Sequence, residues 1–235
     1  MWDNAPLLRG IATVLYAFCL LALLYGAGYY LLHLPGTFPL RSVRMSAAPQ
    51  HAEADQVMVV LRKELQGNLV TVDIDRLRRS LEQLAWVRKV SVRREFPDGL
   101  VVQLEEHQAL ARWNNTALVN QQGEVFIAGS VQELPVFVGP EGTSAEVAQH
   151  YAEFNRQLAV LDLHAARMTL SPRHAWEIHL SNGMLLKLGR EDMQQRLARF
   201  VAVYPYSLAT IQGQVRYVDL RYRNGFAVGG LTKQS

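Results

Sequence analysis

The feature that most constrains this chain is an apolar run close to its amino terminus. Residues 11–32, IATVLYAFCLLALLYGAGYYLL, contain no Asp, Glu, Lys or Arg. As a helix, these roughly 22 residues rise about 33 Å, which matches a bilayer hydrocarbon core of about 30 Å. Tyr29 and Tyr30 lie where interfacial aromatic side chains are expected, and Pro35 predicts the end of the helix. The run therefore predicts a membrane-spanning helix.

Two other interpretations of this run are weaker. A core helix of a soluble protein is disfavoured because no face of the run is polar. A cleaved signal peptide is favoured by the small residues 26–28, but the apolar run continues past them. We therefore expect a retained anchor. Charge leaves its orientation open, because Arg9 before the run is matched by Arg41 and Arg44 after it.

The rest of the chain has the composition of a folded protein. Of 235 residues, 49% are hydrophobic and 19% are charged, so composition gives no sign of disorder. The net charge of +3 is too small to indicate a polyanionic partner. The single cysteine, Cys19, excludes an internal disulfide and a cysteine-based metal site.

Residues 38–108 have the pattern of a small α+β module. A strand is predicted over residues 38–46, followed by a helix that Gly67 ends. Asp73 is a good N-cap for a second helix, whose apolar stripe is Ile74, Leu77, Leu81 and Leu84. Two strands then flank the turn FPDG at residues 96–99. The predicted order is strand, helix, helix, strand, strand.

From residue 109 onward the pattern is dominated by short strands. Two are predicted around Gly123, and Asn182 with Gly183 predicts a hairpin. Amphipathic helices are predicted after Thr143, which forms a capping-box pattern with Glu146, and over residues 191–204. In the last segment, VDLRYRNGFAVGG, apolar and polar residues alternate as in a half-buried strand.

Nothing in the sequence indicates an active site, and we predict no catalytic, cofactor-binding or metal-binding residues. The seven histidines include no pair with metal-ligand spacing. Motifs for a nucleophile elbow, a phosphate loop and a dinucleotide site are absent. Glu105 and Glu106 are adjacent on a predicted strand, so their side chains point apart and a solvated edge is the better interpretation.

A basic run in the α+β module does not indicate nucleic-acid binding. The run lacks interleaved aromatic side chains that could stack on bases, and acidic residues follow it directly. A solvated strand face is the better interpretation. The residues concerned are Arg88, Lys89, Arg93 and Arg94.

Five motifs in order resemble the FtsQ/DivIB family of bacterial cell-division proteins. They are LEQLAWVRKVSVRREFPDGLVVQLEEHQALARW (residues 81–113), LVNQQGEVF, AWEIHLSNGMLLKLGR, RLARFVAVYP and YVDLRYRNGFAVGG. With the apolar run, they cover nearly the whole chain. One departure lies in the last motif, where Gly230 replaces the aromatic residue usual after Val-Gly.

The resemblance implies an α+β fold with a single membrane helix, a POTRA domain of βααββ order, and a β domain. The β domain is expected to hold a mainly antiparallel sheet with flanking helices. The implied divisions are a cytoplasmic tail (1–10), the membrane helix (11–33), the POTRA domain (38–108), the β domain (109–230) and a C-terminal tail (231–235). The protein would lie in the inner membrane at the septum, with its bulk in the periplasm.

The resemblance also implies a non-enzymatic scaffold of the divisome. It would bind FtsB and FtsL in the periplasm, help control septal peptidoglycan synthesis, and contact FtsK, FtsW, FtsI and FtsN. No nucleic acid, cofactor or small-molecule substrate is expected. The alternatives are a POTRA-containing envelope-assembly or translocation component, which would show POTRA repeats or a barrel after Trp113, and an anchored cell-wall enzyme, which would need clustered catalytic residues.

Two sets of residues are the candidates for contact with partners. Residues 222–229 are expected to form the edge strand that receives FtsB, although an interior strand is the alternative. The resemblance adds two arginines as donors to acidic residues of FtsB, so the set is Arg173, Arg221, Tyr222, Asn224, Gly225, Phe226, Ala227, Val228 and Gly229. A POTRA recruitment surface is expected at Arg76 and Arg79, because Glu82 is the one acid that we expect to lie near this arginine cluster.

Overall fold

The fold is taken from a computed structural model that describes residues 5–34, 37–209, 215–222 and 225–230. The chain divides into two compact units, Met1–Glu106 and His107–Ser235. The first unit holds the apolar helix and a small α+β module. The second unit holds a large sheet with two helices.

The apolar run forms one long helix, α1 (Ala5–His33), as predicted, although it begins before residue 11. Pro6–Leu32 is long and apolar enough to cross a membrane, and its most apolar window buries none of its surface against the rest of the chain. Apolar side chains that are exposed on every face are unfavourable in water and favourable in lipid.

The α+β module has the predicted βααββ order. Its elements are β1 (Ser42–Met45), α2 (Ala54–Glu64), α3 (Ile74–Glu82), β2 (Val87–Glu95) and β3 (Gly99–Glu106). Strand β3 is central, parallel to β1 and antiparallel to β2. The predicted cap is confirmed: the Asp73 carboxylate accepts a hydrogen bond from the Arg76 N–H at 2.9 Å. Such a cap satisfies one of the free N–H groups in the first turn of a helix.

The apolar stripes of α2 and α3 pack on one face of this sheet. Val57, Leu77, Leu81 and Val102 are each fully buried in one cluster. Burial of each such side chain stabilises the fold by about 1.5–3 kcal/mol. The helical spacing of these residues is therefore the reason that both helices lie on the sheet.

Glu106 and Arg94, whose side chains we expected to be solvated, instead make hydrogen bonds that hold loops of the module in place. The Glu106 carboxylate accepts hydrogen bonds from the backbone N–H groups of Gln50, His51 and Ala52, at 3.0, 3.1 and 2.8 Å. Arg94 donates to the carbonyls of residues 69, 70 and 72, at 2.7 to 3.2 Å. The prediction of a solvated edge was wrong for Glu106, because its acceptors hold a loop that is distant in sequence.

The second unit is built on a nine-stranded mixed sheet with the order β12-β11-β10-β9-β8-β7-β4-β5-β6. Most neighbouring pairs are antiparallel, whereas β4·β7, β7·β8 and β10·β11 are parallel. The strands are β4 (Ala109–Trp113), β5 (Ala117–Asn120), β6 (Val125–Phe126), β7 (Val136–Val138), β8 (Ala165–Leu170), β9 (Trp176–Leu180), β10 (Leu185–Gly189), β11 (Tyr217–Asp219) and β12 (Ala227–Gly229).

Two helices, α4 (Ser144–Leu158) and α5 (Met193–Ser207), pack against this sheet and against each other. The core between them contains Phe154, Trp176, Ile178 and Phe200. The predicted hairpin at residues 181–183 is confirmed and joins β9 to β10. The capping box was wrong, because the Thr143 hydroxyl donates to the Pro140 carbonyl at 2.7 Å rather than capping α4.

Replacing Glu106 with alanine is expected to loosen the loop before α2. The change leaves three backbone N–H groups without their acceptor, so the local free energy of opening should fall by about 1–3 kcal/mol. Burial acts to raise the pKa of the Glu106 carboxyl, but these hydrogen bonds outweigh it and hold that pKa below its ordinary value. The stabilisation is therefore present at neutral pH and is lost as pH falls through the folded-state pKa.

Hydrogen exchange of the full chain in detergent measures this effect at residues 50–64. Glu105→Ala is the matched control, since this adjacent carboxylate is half exposed and makes an ion pair with Arg88. An exposed pair contributes about 0–1 kcal/mol. Equal exchange in the two variants would contradict the structural role assigned to Glu106.

Candidate partner-binding edge

Strand β12 lies at one edge of the nine-stranded sheet. It pairs antiparallel with β11, with Ala227 opposite Asp219 and Gly229 opposite Tyr217. Among the residues that the structure describes, no strand lies on its other side. The strand is shorter than the predicted segment of residues 222–229: Tyr222 lies in a bend and is 59% exposed. Asn224 lies outside the described residues.

The closing segment forms two short strands rather than one continuous strand. Val218 and Leu220 are buried, as the alternation predicts, and anchor β11 to the core. Phe226 and Val228 are half-buried and pack against the same core. Strand β12 runs antiparallel to β11, and Gly225 and Phe226 precede it without being in strand conformation.

Two glycines let neighbouring side chains cover the edge strand closely. A Cβ on Gly229 would lie 2.2 Å from the Tyr217 ring, and one on Gly230 would lie 2.5 Å from Arg216. Gly230 also has φ +77°, a backbone conformation that favours glycine. The Tyr217 ring in turn has the Lys187 ammonium 5.0 Å from its centroid. An aromatic ring over an edge glycine supplies the packing that the glycine itself lacks.

Arg221 is already paired within the chain. Its Nε and Nη2 atoms donate to the Asp219 carboxylate at 2.9 and 2.6 Å, and its backbone N–H donates to the same carboxylate at 3.1 Å. The Asp219 side chain is 10% exposed and that of Arg221 is 60% exposed. A guanidinium has five N–H donors. Arg221 is therefore held against the end of β11 by Asp219, while most of its side chain stays exposed.

The electrostatics of this pair are consistent with that geometry. The side-chain hydrogen bonds from Arg221 hold the pKa of the Asp219 carboxyl below its ordinary value, against the effect of burial. The same hydrogen bonds raise the pKa of Arg221. A lowered carboxyl pKa stabilises the fold at neutral pH, and this stabilisation is lost in acid as the carboxyl protonates. The pair is thus fully ionised at neutral pH.

Arg173 lies at the same end of the sheet as Arg221. It is exposed in the turn between β8 and β9, which the Ser171 N–H closes by donating to the Ala175 carbonyl at 2.9 Å. The next residue, Trp176, is opposite Gly189 at the end of β10, and a Cβ on Gly189 would lie 3.1 Å from Arg221. Since β9 and β11 are two strands apart, roughly 10 Å separates the positions that hold the two arginines.

The register identifies further residues at this end of the sheet that the sequence analysis did not single out. Lys187 lies opposite Asp219 on β11 and opposite Glu177 on β9. The residues that surround the edge therefore include Asp219, Tyr217 and Lys187. The alternation in YVDLRY could have indicated the Asp219–Arg221 pair, because residues i and i+2 of an extended segment face the same way.

The α+β module places the two predicted recruitment arginines differently. Arg76 is paired: its Nε lies 2.7 Å from Glu64 of α2, whose side chain is 6% exposed. Arg78 pairs with Asp75 at 3.4 Å. The expectation that Glu82 is the one acid near these arginines was therefore wrong, because α2 brings Glu64 to Arg76 and Asp75, on α3 itself, pairs with Arg78. Arg79 is exposed and has no ion-pair partner within the described ranges.

The described residues contain no group of three His, Cys, Asp or Glu side chains that could hold a metal ion. His174 lies in the turn before β9 and His179 lies on β9, so they do not form a pair. The chemistry that this end of the sheet offers is an exposed strand edge, aromatic and aliphatic side chains, and cations.

Comparison with known proteins matches both units. Residues 38–107 match the family described as POTRA domain, FtsQ-type, and residues 111–221 match Cell division protein FtsQ/DivIB, C-terminal. The chain is 40% identical to a "Cell division protein FtsQ" of Nitrosospira multiformis, over 98% of this chain and 99% of the relative. It is 41% identical to that of Burkholderia pseudomallei, over 97% and 94%. It is 40% identical to that of Shewanella oneidensis, over 86% and 79%.

These matches cover both units and nearly the full length of the chain, in agreement with the order of motifs in its sequence. The chain belongs to the FtsQ/DivIB family of bacterial cell-division proteins.

Proposed function

We propose that this protein is a non-enzymatic scaffold of the divisome that binds FtsB, and with it FtsL, through the β12 edge. Helix α1 is the retained anchor in the inner membrane, with the amino terminus in the cytoplasm. The two folded units lie in the periplasm at the septum. Through FtsB and FtsL the protein helps to control septal peptidoglycan synthesis.

The observation that carries this proposal is that, within the described residues, one side of β12 has no neighbouring strand. An edge strand presents N–H and C=O groups that a partner strand can use, and proteins usually block such edges. Here the described residues 225–230 include no Lys or Pro, and Ala227–Gly229 is in strand conformation. A strand of FtsB added to β12 would extend the sheet by β-augmentation, in which main-chain hydrogen bonds supply much of the affinity.

Side chains around the edge provide the means to select the partner. Phe226 and Val228 are half-buried, so an added strand would complete their burial. Tyr222 is exposed next to the edge. Arg173 and Arg221 carry positive charge at the end of the sheet where β12 begins, which suits acidic side chains of FtsB.

We propose that the chain forms a POTRA domain at residues 38–108 and a β domain at residues 109–230. The POTRA domain has a role of its own, separate from that of the β domain. Exposed Arg79 on α3 and the outer side of β2 form a surface, separate from the β12 edge, for contact with divisome proteins. The partners concerned are FtsK, FtsW, FtsI and FtsN. The arrangement separates recruitment to the septum from the binding of FtsB.

A proline scan over residues 222–229 of the full chain in detergent tests the edge. Proline removes a backbone N–H, and alternate residues of a strand point their N–H groups to opposite sides. Within the strand, Ala227–Gly229, substitutions at positions whose N–H points away from β11 should therefore weaken FtsB binding roughly 10- to 100-fold, the effect of about 1–3 kcal/mol, with little change in melting temperature.

The intervening positions are the internal control, because their N–H groups face β11. Proline there should lower the melting temperature. If every variant that loses FtsB binding is also unfolded, β12 is not free to receive a partner. If no variant loses binding, FtsB docks elsewhere.

Charge reversal on α3 tests the POTRA surface. Arg79→Glu is expected to reduce septal localisation of a fluorescent fusion without lowering its cellular level, since Arg79 is exposed and has no described ion pair. Arg76→Glu should lower the level instead, because it opposes the nearly buried Glu64. Normal septal rings with Arg79→Glu would contradict the surface assignment.

A further inference from the structure

Two exposed aromatic rings lie beside the segment that follows α1. Phe38 is 39% exposed, and Phe96, in the turn between β2 and β3, is 65% exposed. Their rings pack edge to face, with centroids 6.5 Å apart. We call this pair the aromatic tip. Large aromatic side chains that are left in water at the end of a hairpin are costly, so their position calls for a function.

A buried side chain ties the end of α1 to the POTRA domain near this tip. The amide of Asn68, which is 2% exposed, donates to the Leu32 carbonyl at 2.7 Å and to the Leu34 carbonyl at 3.4 Å. The last carbonyls of a helix have no partner within the helix, and Asn68 supplies one. The loop at residues 68–72 is thereby held against the end of the apolar helix.

The same loop is hydrogen-bonded to the hairpin that contains Phe96. The Leu69 N–H donates to the Phe38 carbonyl at 2.9 Å. Arg94, at the end of β2, donates to the carbonyls of Leu69 and Val72 at 2.7 and 3.1 Å. These bonds form a continuous path from Leu32, through the loop, to both residues of the aromatic tip. The tip therefore lies at the end of the POTRA domain from which α1 emerges.

The backbone of Phe38 supports a specific placement of its ring. Phe38 has φ 56°, a left-handed conformation that a bulky side chain rarely adopts. Such strain persists only where the surrounding structure maintains it, and it is concentrated at functional positions.

Exposed arginines lie in the same part of the domain as the aromatic tip. Arg41 is exposed and its backbone N–H donates to the Asp98 carbonyl, at 2.8 Å, in the turn that holds Phe96. Arg93 is exposed on β2. We call Arg41 and Arg93 the basic collar; Arg94 is not part of it, because its guanidinium is bound to the carbonyls of the loop at residues 69–72. Of the two acids at this end of the hairpin, Glu95 is paired with Arg44 at 3.1 Å, which leaves Asp98 against the two arginines of the collar.

We propose that the aromatic tip and the basic collar seat the POTRA domain on the surface of the bilayer that α1 spans. The rings enter the headgroup region, and the collar binds anionic lipid headgroups there, as interfacial aromatic and basic residues do elsewhere. This proposal rests on the retention of α1 as an anchor. These contacts give the POTRA domain a fixed orientation above the membrane.

Spin labelling of the full chain in lipid nanodiscs tests the seat. A nitroxide is attached at Phe96→Cys in a Cys19→Ala background, and its relaxation by oxygen is compared with that by a water-soluble nickel chelate. Ala85→Cys is the matched control: Ala85 is exposed just before β2, which at about 3.3 Å per residue puts it roughly 30 Å from the turn. The discs contain phosphatidylethanolamine and phosphatidylglycerol.

At position 96 oxygen should relax the label more than the nickel chelate does, as in lipid, and at position 85 the order should be reversed. Discs of phosphatidylcholine alone should make the label at 96 more accessible to nickel, because the collar loses its anionic ligands. Depth that is unchanged by lipid charge would overturn the role of the collar.

Failure of the membrane anchor and failure of the POTRA domain to contact the bilayer give different results. A chain that does not elute with the discs would contradict the anchor and the seat together. If the chain elutes with the discs but the labels at 85 and 96 are equally accessible to the nickel chelate, the contact of the POTRA domain with the bilayer is contradicted and the anchor is not. The aromatic tip would then be a site for a protein partner.

Discussion

Backbone N–H and C=O groups at the edges of an open sheet need partners, and in the part of the chain that the structure describes the nine-stranded sheet leaves such groups along β12. The rest of the second unit holds this edge in place. Helices α4 and α5 cover the sheet, buried Val218 and Leu220 anchor β11, and Asp219 pairs with Arg221 just after that strand. The edge strand is thus held by a packed core, and an edge that is already ordered loses less conformational entropy when another strand is added to it.

Much of the fold follows from local sequence signals. Helical spacing of apolar residues predicts α2 and α3, Asp73 caps α3 as expected, and Asn182 with Gly183 turns the chain between β9 and β10. The failures involve residues whose partners are distant in sequence. Glu106 binds backbone groups 54 to 56 residues away, and Arg94 binds carbonyls 22 to 25 residues away. No local pattern indicates such contacts, because they exist only once the module has folded.

In the candidate site, too, the sequence predicts the local features but not the contacts between residues that are distant in sequence. The alternation of apolar residues in the last segment predicts strands, but not that they form two strands with β12 outermost. The pair of Arg221 with Asp219 is local and could be anticipated, whereas the pair of Arg76 with Glu64 depends on the packing of α2 against α3. A charged residue is therefore a poor guide to a binding surface until its internal partners are known. By this criterion Arg79, which has no ion pair within the described residues, is the better candidate for contact with a partner, whereas Arg76 is paired with Glu64.

Hydrogen exchange at the edge strand tests the central claim most directly. The full chain is measured alone and in complex with FtsB and FtsL, and amide exchange is followed over residues 225–230. The N–H groups of β12 that face away from β11 should exchange rapidly in the isolated chain and slowly in the complex, because an added strand hydrogen-bonds them. Equal exchange in the two states, with the complex intact, would contradict strand addition at β12.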